Sequence, residues 1–150
     1  MKHIFLDSAP LALLTQRHGV ASADACRQWL AAKLASGCTI AVPEIVDYEL
    51  RRELIRARKV DSINRLDRFI GDPHVRYIPL TTGSMRLAAA LWAQLRQRGT
   101  PTAPDEDIDV DVIAAAQAIH LSIPLADCVM ATANVAHLGR LMPARLWEKI

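Results

Sequence analysis

Aromatic residues make up only 5% of this 150-residue chain, so a surface that grips nucleobases by stacking them on rings is not expected. The three cysteines, Cys26, Cys38 and Cys128, are odd in number and far apart. They suit neither a disulfide framework nor a paired zinc-ligand spacing, and read as thiols of a reducing cytoplasm. The six glycines are dispersed, so no glycine-rich loop is available to cradle a phosphate. No run approaches the roughly 18 apolar residues of a transmembrane helix, and no membrane partner is expected. Three apolar residues, Ile4 to Leu6, precede Asp7, against about 7 or more in the apolar stretch of a secretory leader. Neither sign of charge predominates: 18 Lys+Arg against 16 Asp+Glu leave +2, too little by itself to announce a nucleic-acid binder. Ser8 has no neighbouring base that the sequence supports, so serine-nucleophile hydrolysis is unsupported. The localisation that these absences leave is cytoplasmic.

At 51% hydrophobic, the chain is rich enough for one core, and its length suits a single domain spanning 1–150. Short apolar runs predict strands at His3–Leu6, Cys38–Val42, Val75–Ile78 and Cys128–Ala131, with a short final strand near Leu146–Trp147. Helical segments separate them. One starts near Ser8 and Pro10, and a second carries Cys26, Trp29, Leu30 and Leu34 before Gly37. Pro43 opens a helix from Glu44 to about Lys59, and Asp61 caps another through Ile70. Thr81 or Thr82 caps a long helix stopped by Gly99. Thr100–Asp107 reads as a surface loop, and Asp109 or Asp111 starts a helix over Val112–Leu121. Strands that are apolar throughout, alternating with helices, predict an α/β domain: three layers, α/β/α, on a mostly parallel 4–5-stranded sheet.

In such folds ligands collect beyond the carboxyl ends of the strands. Asp7 follows the first strand directly, Glu49 lies on the helix after the second, and Asp111 opens the helix before the fourth. Thr132 and Asn134 follow the fourth. Gathered carboxylates repel one another unless a cation neutralises them, and hard oxygen donors suit Mg²⁺ or Mn²⁺. Such an ion acidifies a water that attacks phosphorus in line, so phosphodiester hydrolysis follows. Each acid also has a plainer role. Asp7 can cap a helix, Glu49 can pair with a neighbouring Arg on a helix face with Tyr48 and Leu50 partly buried beside it, and Asp105, Glu106 and Asp107 can favour a helix's positive end. Asp109 and Asp111, two residues apart, cannot face the same way, so one of them dominates. His137 is the histidine nearest the pocket and reads as a supporting residue.

Four blocks resemble the PIN-domain metal-dependent ribonucleases, which include VapC-like toxins. They are Ile4-Phe5-Leu6-Asp7-Ser8, then Pro43 to Leu50 with Glu49-Leu50, then Asp111 to Ala118, and finally Val129 to Asn134. They run in the family's order over nearly the whole chain. The resemblance implies that Asp7, Glu49 and Asp111 are the catalytic, metal-holding acids, with Asp109 a fourth ligand. Ser8, Thr132 and Asn134 would stand behind them or at the fourth position. It also implies RNA as substrate, a homodimer and, for toxins, an antitoxin partner. Asn134 stands where the family carries Asp, and His137 where many members carry another acid.

Arg51, Arg52 and Arg56, followed by Arg58, Lys59, Arg65 and Arg68, make a basic helical stretch beside Glu49 and are candidates for the RNA backbone. The function expected from the sequence is thus a Mg²⁺- or Mn²⁺-dependent endoribonuclease, the toxin of a toxin-antitoxin pair. The alternative is a catalytically weak or inactive PIN-like module that binds nucleic acid or protein.

Overall fold

Uninterrupted apolar runs form strands only where both faces of a sheet are covered, and the centre of this sheet meets that condition. The computed structural model describes residues 2–98 and 105–150. Its strands are β1 (His3–Leu6), β2 (Thr39–Pro43), β3 (Val75–Ile78), β4 (Cys128–Ala131) and β5 (Ala144–Arg145). They form one sheet in the order β3-β2-β1-β4-β5, every neighbouring pair parallel. Beyond their first residues, β1 and β2 are buried throughout, and β4 is buried along its whole length. Edge strand β3 exposes Arg76. The expected three-layer α/β/α architecture is the one observed.

The helices are α1 (Ser8–Leu14), α2 (Ala21–Ala35), α3 (Glu44–Arg56), α4 (Val60–Ile70), α5 (Thr82–Gln97), α6 (Asp105–Ile119) and α7 (Val135–Leu138). Several boundaries differ from the expected ones. Helix α3 stops at Arg56 instead of Lys59, because Arg58 turns left-handed at φ 57° and Lys59 already caps α4. Helix α6 starts at Asp105, so the loop expected over Thr100–Asp107 is helical from Asp105 on, while 100–104 and the stop residue Gly99 lie outside the described residues. The last strand is Ala144–Arg145; Trp147 belongs to a 3₁₀ turn, and the strand expected at Leu146–Trp147 is displaced. Thr81 caps α5 as expected, in a reciprocal pair with Ser84.

Two buried polar groups set how the helices sit on the sheet. The Gln117 side chain, 1% exposed, accepts from the backbone N–H of Ile45 at 3.1 Å and donates to the carbonyl of Ile78 at 2.8 Å. It therefore ties α6 to the start of α3 and to the end of β3, and satisfies one of the orphan donors of α3's first turn. The neighbouring Ala114, Ala115, Ala116 and Ala118 are all buried, and their small side chains let α6 approach closely. Asp47, also buried, accepts from Arg51 Nε and Nη2 at 3.1 and 3.0 Å and from the Tyr77 hydroxyl at 3.1 Å. Arg51 reaches on to Asp67 at 2.7 Å. This network joins α3, β3 and α4. Burial opposes the Arg51 charge, but the bonds to Asp67 and Asp47 prevail and hold its pKa above the ordinary value.

Two stability predictions follow from these features. A non-glycine residue in the left-handed region costs about 1 kcal/mol or more. Arg58→Gly is therefore expected to raise the unfolding free energy by about 1 kcal/mol, read from urea denaturation; an unchanged or lower value would contradict the strain. Tyr77→Phe should cost about 1 kcal/mol at pH 7, since the Asp47 bond is lost. Burial, and then the Asp47 carboxylate, push the Tyr77 pKa up from 10.0. The neutral phenol's contribution is thus complete below pH 10 and is lost as the pH rises through the folded-state pKa. Above pH 10 the stability of wild type should fall more steeply than that of Tyr77→Phe.

Candidate functional site

Strand order reverses direction at β1, whose neighbours β2 and β4 lie on opposite sides, and such a switch point opens a crevice at the carboxyl ends of the strands. Leu6 pairs with Ala131, and the ladder runs one residue further through the Asp7 N–H to the Ala131 carbonyl at 3.0 Å. The chain then turns: Asp7 is the N-cap of α1, and its Oδ1 accepts from the Ser8 N–H at 2.8 Å. Its Oδ2 accepts from the Thr132 hydroxyl at 2.6 Å, across 125 residues of sequence. Asp7 is 6% and Thr132 2% exposed. The capping role and the place at the strand end are thus both real, and one residue fills them.

The other walls come from α3, α6 and α7. The Ser8 hydroxyl donates to Glu49 Oε1 at 2.9 Å, which joins the first turn of α1 to α3. On the far side, Asn134 Nδ2 donates to Asp111 Oδ2 at 2.7 Å and lies 3.1 Å from His137 Nδ1. His137 Nδ1 is itself 3.9 Å from Asp111 Oδ2. The Asn134 N–H is held by the Thr132 hydroxyl at 2.8 Å, so this hydroxyl links the β1 and β4 ends of the site. The result is an open cleft of about 330 Å³, into which Asp7, Glu49, Asp111, Asn134, His137 and Arg52 face.

Several expected residues fall elsewhere. Asp109 is exposed and lines a separate hollow between α5 and α6 with Met85 and Trp92, so it does not join Asp111. The side chains of Asp105, Glu106 and Asp107 lie outside the described residues. Tyr48, expected to be partly buried beside Glu49, is 54% exposed and carries the Arg52 guanidinium over its ring at 5.2 Å. Of the three arginines expected on the RNA backbone, only Arg52 borders the cleft. Arg51 is taken up by Asp47 and Asp67, and Arg56 by Glu53 at 2.8 Å. Two supporting residues, Gln117 and Asp47, received no role from the sequence. An amide inside an alanine run, and an Asp-Arg pair spaced i, i+4, were the available signals.

The donors offered to a cation are carboxylate, amide and hydroxyl oxygens, the right chemistry for Mg²⁺ or Mn²⁺. Among the described residues, no three His, Cys, Asp or Glu side chains stand close enough together to hold one ion directly. Mg²⁺ usually keeps several waters and takes one or two protein carboxylates, so a cleft whose acids stand apart suits an ion held partly through water.

No protein-family model matches the chain, and no curated protein does. The assignment to the PIN-domain ribonucleases and VapC-like toxins drawn from the four blocks is therefore corrected. Each block is a few residues long, and apolar strands followed by an acid recur across parallel α/β proteins. Solved structures do share the fold. A chain of VapBC2 from Rickettsia felis, bound to a DNA fragment from its promoter, matches at 19% identity with a TM-score of 0.69, covering 97% of this chain and 98% of that one. FitAcB from Neisseria gonorrhoeae gives 16% identity, a TM-score of 0.69 and coverage of 98% and 99%. VapBC-1 from nontypeable Haemophilus influenzae gives 15%, 0.64, and 97% and 98%. At this identity the likeness establishes architecture alone, a three-layer α/β/α fold matched over 97–98% of this chain.

Proposed function

We propose that the chain is a Mg²⁺- or Mn²⁺-dependent endoribonuclease. The observation that carries this reading is the cleft itself, where Asp7, Glu49 and Asp111 arrive from three separate elements at the switch point of the sheet. Asp7, Glu49 and Asp111 would hold the ion partly through its waters, and when bound it would supply positive charge to the scissile phosphate and acidify a water. The chain's own groups fix this arrangement. Thr132 and the α1 cap hold both oxygens of Asp7, Ser8 steers Glu49, and Asn134 orients Asp111. Arg52, at the rim, would attract the phosphodiester and offset the repulsion between the phosphate and the acids.

The shared fold with VapBC2, FitAcB and VapBC-1 supports a further step: this chain would be the toxin of a toxin-antitoxin pair, with an antitoxin as protein partner and a homodimer as its assembly. A second reading, a weakly active or inactive binding module, draws support from Asn134 and from the spacing of the acids.

Cleavage of a mixed RNA pool with Mg²⁺, with Mn²⁺ and with EDTA separates the two. The nuclease reading expects cleavage that needs the metal and disappears in folded Asp7→Asn. Absence of cleavage by folded wild type under every metal would favour the binding module, and cleavage by Asp7→Asn at the wild-type rate would remove Asp7 from the site. Asp111→Asn should lower the rate far more than Asp109→Asn, which faces the α5 side and should leave it close to wild type; equal losses would contradict the separation of the two acids.

A further inference from the structure

A strongly basic surface lies away from the acidic cleft, where α1 and α3 end and α4 begins. Two adjoining hollows of about 550 and 480 Å³ share Gln16, Arg17 and Arg65 and form one groove. Six cations line it, Arg17, Arg27, Arg58, Lys59, Arg65 and Arg68, against two carboxylates, Asp61 and Asp72. The whole chain carries only +2, so the groove concentrates positive charge that the rest of the molecule partly offsets.

These cations divide into two sets. Arg65 donates to the Thr15 carbonyl at 2.7 Å and to the Ser62 hydroxyl at 3.1 Å, and Arg27 bonds Asp24 and the Gln16 carbonyl, so both build the walls. The side chains of Arg17, Arg58 and Lys59 make no hydrogen bond or ion pair among the described residues and are exposed. Arg58 occupies the left-handed position after α3, where glycine would sit without strain. A residue held there against its backbone preference points to use of its side chain. In addition, no side chain caps α4, and the residues of its first turn, Val60 to Ser62, border the same groove.

Guanidinium forks, an ammonium and uncapped N–H groups are together a set for phosphate oxygens. Phe69 and the His18 imidazole are the two rings on the groove's lining, against six cations, so the bases have little to stack on and the backbone is what would be gripped. Position supports a long ligand. Helices α1 and α3 pack side by side, with Asp7-Ser8 and Glu49 toward one end and Arg17 and Arg58-Lys59 just past the other. Seven residues separate Glu49 from Arg56, about 10 Å along a helix. One strand could lie along this seam with a phosphate in the cleft and others in the groove.

We propose that this groove is a second nucleic-acid surface, which holds the phosphates of single-stranded RNA on Arg17, Arg58 and Lys59 while the strand runs along the α1–α3 seam to the acidic cleft. The substrate class rests on the ribonuclease reading; the groove itself does not depend on catalysis.

The test is fluorescence anisotropy of a labelled RNA 20-mer in EDTA, where nothing is cleaved, with wild type and the triple variant Arg17→Ala, Arg58→Gly, Lys59→Ala. The triple variant is expected to bind at least about tenfold more weakly at low salt, with a log-log salt slope smaller by about 2, the loss of three single-strand phosphate contacts. Arg58→Gly alone relieves strain, so a weakened but stably folded single variant keeps the result from being one of unfolding. Equal affinity and slope in wild type and triple variant, or no RNA binding by wild type, would overturn the proposal. So would displacement of the RNA by poly-glutamate at equal charge concentration, which would make the groove a seat for an acidic protein. Binding that meets expectation without any metal-dependent cleavage would leave the groove standing and remove the nuclease reading; cleavage with an unchanged KM in the triple variant would do the reverse.

Discussion

The parallel register between β1 and β4 is the constraint on which the site depends. Leu6 pairs with Ala131, so the next residue on each strand, Asp7 and Thr132, emerge side by side and their side chains meet. A slip of one residue would send every β1 side chain to the opposite face of the sheet. It would put Asp7 among apolar neighbours and part it from the hydroxyl that holds it. The register is protected because Ile4, Phe5 and Leu6 are all buried, and exchanging faces would misfit their different shapes in a close-packed core. The core thus specifies the chemistry: what is buried below fixes what is presented above.

Polar groups inside the helical layers do the second half of the positioning. Gln117 could satisfy only part of its amide in a purely apolar setting, and a buried amide left unpaired is expensive. Its two partners, on α3 and at the end of β3, are therefore nearly obligatory. They lock the helix that carries Asp111 against the helix that carries Glu49. The Asp47 network does similar work further out, with Arg51 neutralising a carboxylate that burial would otherwise penalise.

How much of this was legible follows from the length and strength of each local signal. An apolar run cut off by Asp7 can be read from sequence, because strand burial and strand ending both leave marks in residue type. The two-residue β5 has no period to read, and its neighbours Leu146 and Trp147 are the more apolar pair, which drew the expected strand past its true place. The acidic run before Val112 suggested a loop with its prolines, yet carboxylates in a first turn are what a helix dipole favours, and α6 begins at Asp105. Glu49 and Asp111 stood out by their position relative to strands. The separation of Asp109 from Asp111 was legible in their spacing of two, whereas the capture of Arg51 by Asp67 needed tertiary contact that no spacing reveals. The four family-like blocks marked the fold correctly and the family too generously, since short apolar-then-acid strings belong to many parallel sheets.

The walls of the cleft are contributed by residues 7, 49, 111 and 134, in the order in which the chain is synthesised. A ribosome that has produced the first hundred residues has made Asp7 and Glu49 but neither the third carboxylate nor the strand that carries Thr132. β1 then has β2 on one side and nothing on the other, so even Asp7 lacks its partner. The acidic cleft consequently assembles only once β4 has been made, and translation itself keeps the constellation apart until then.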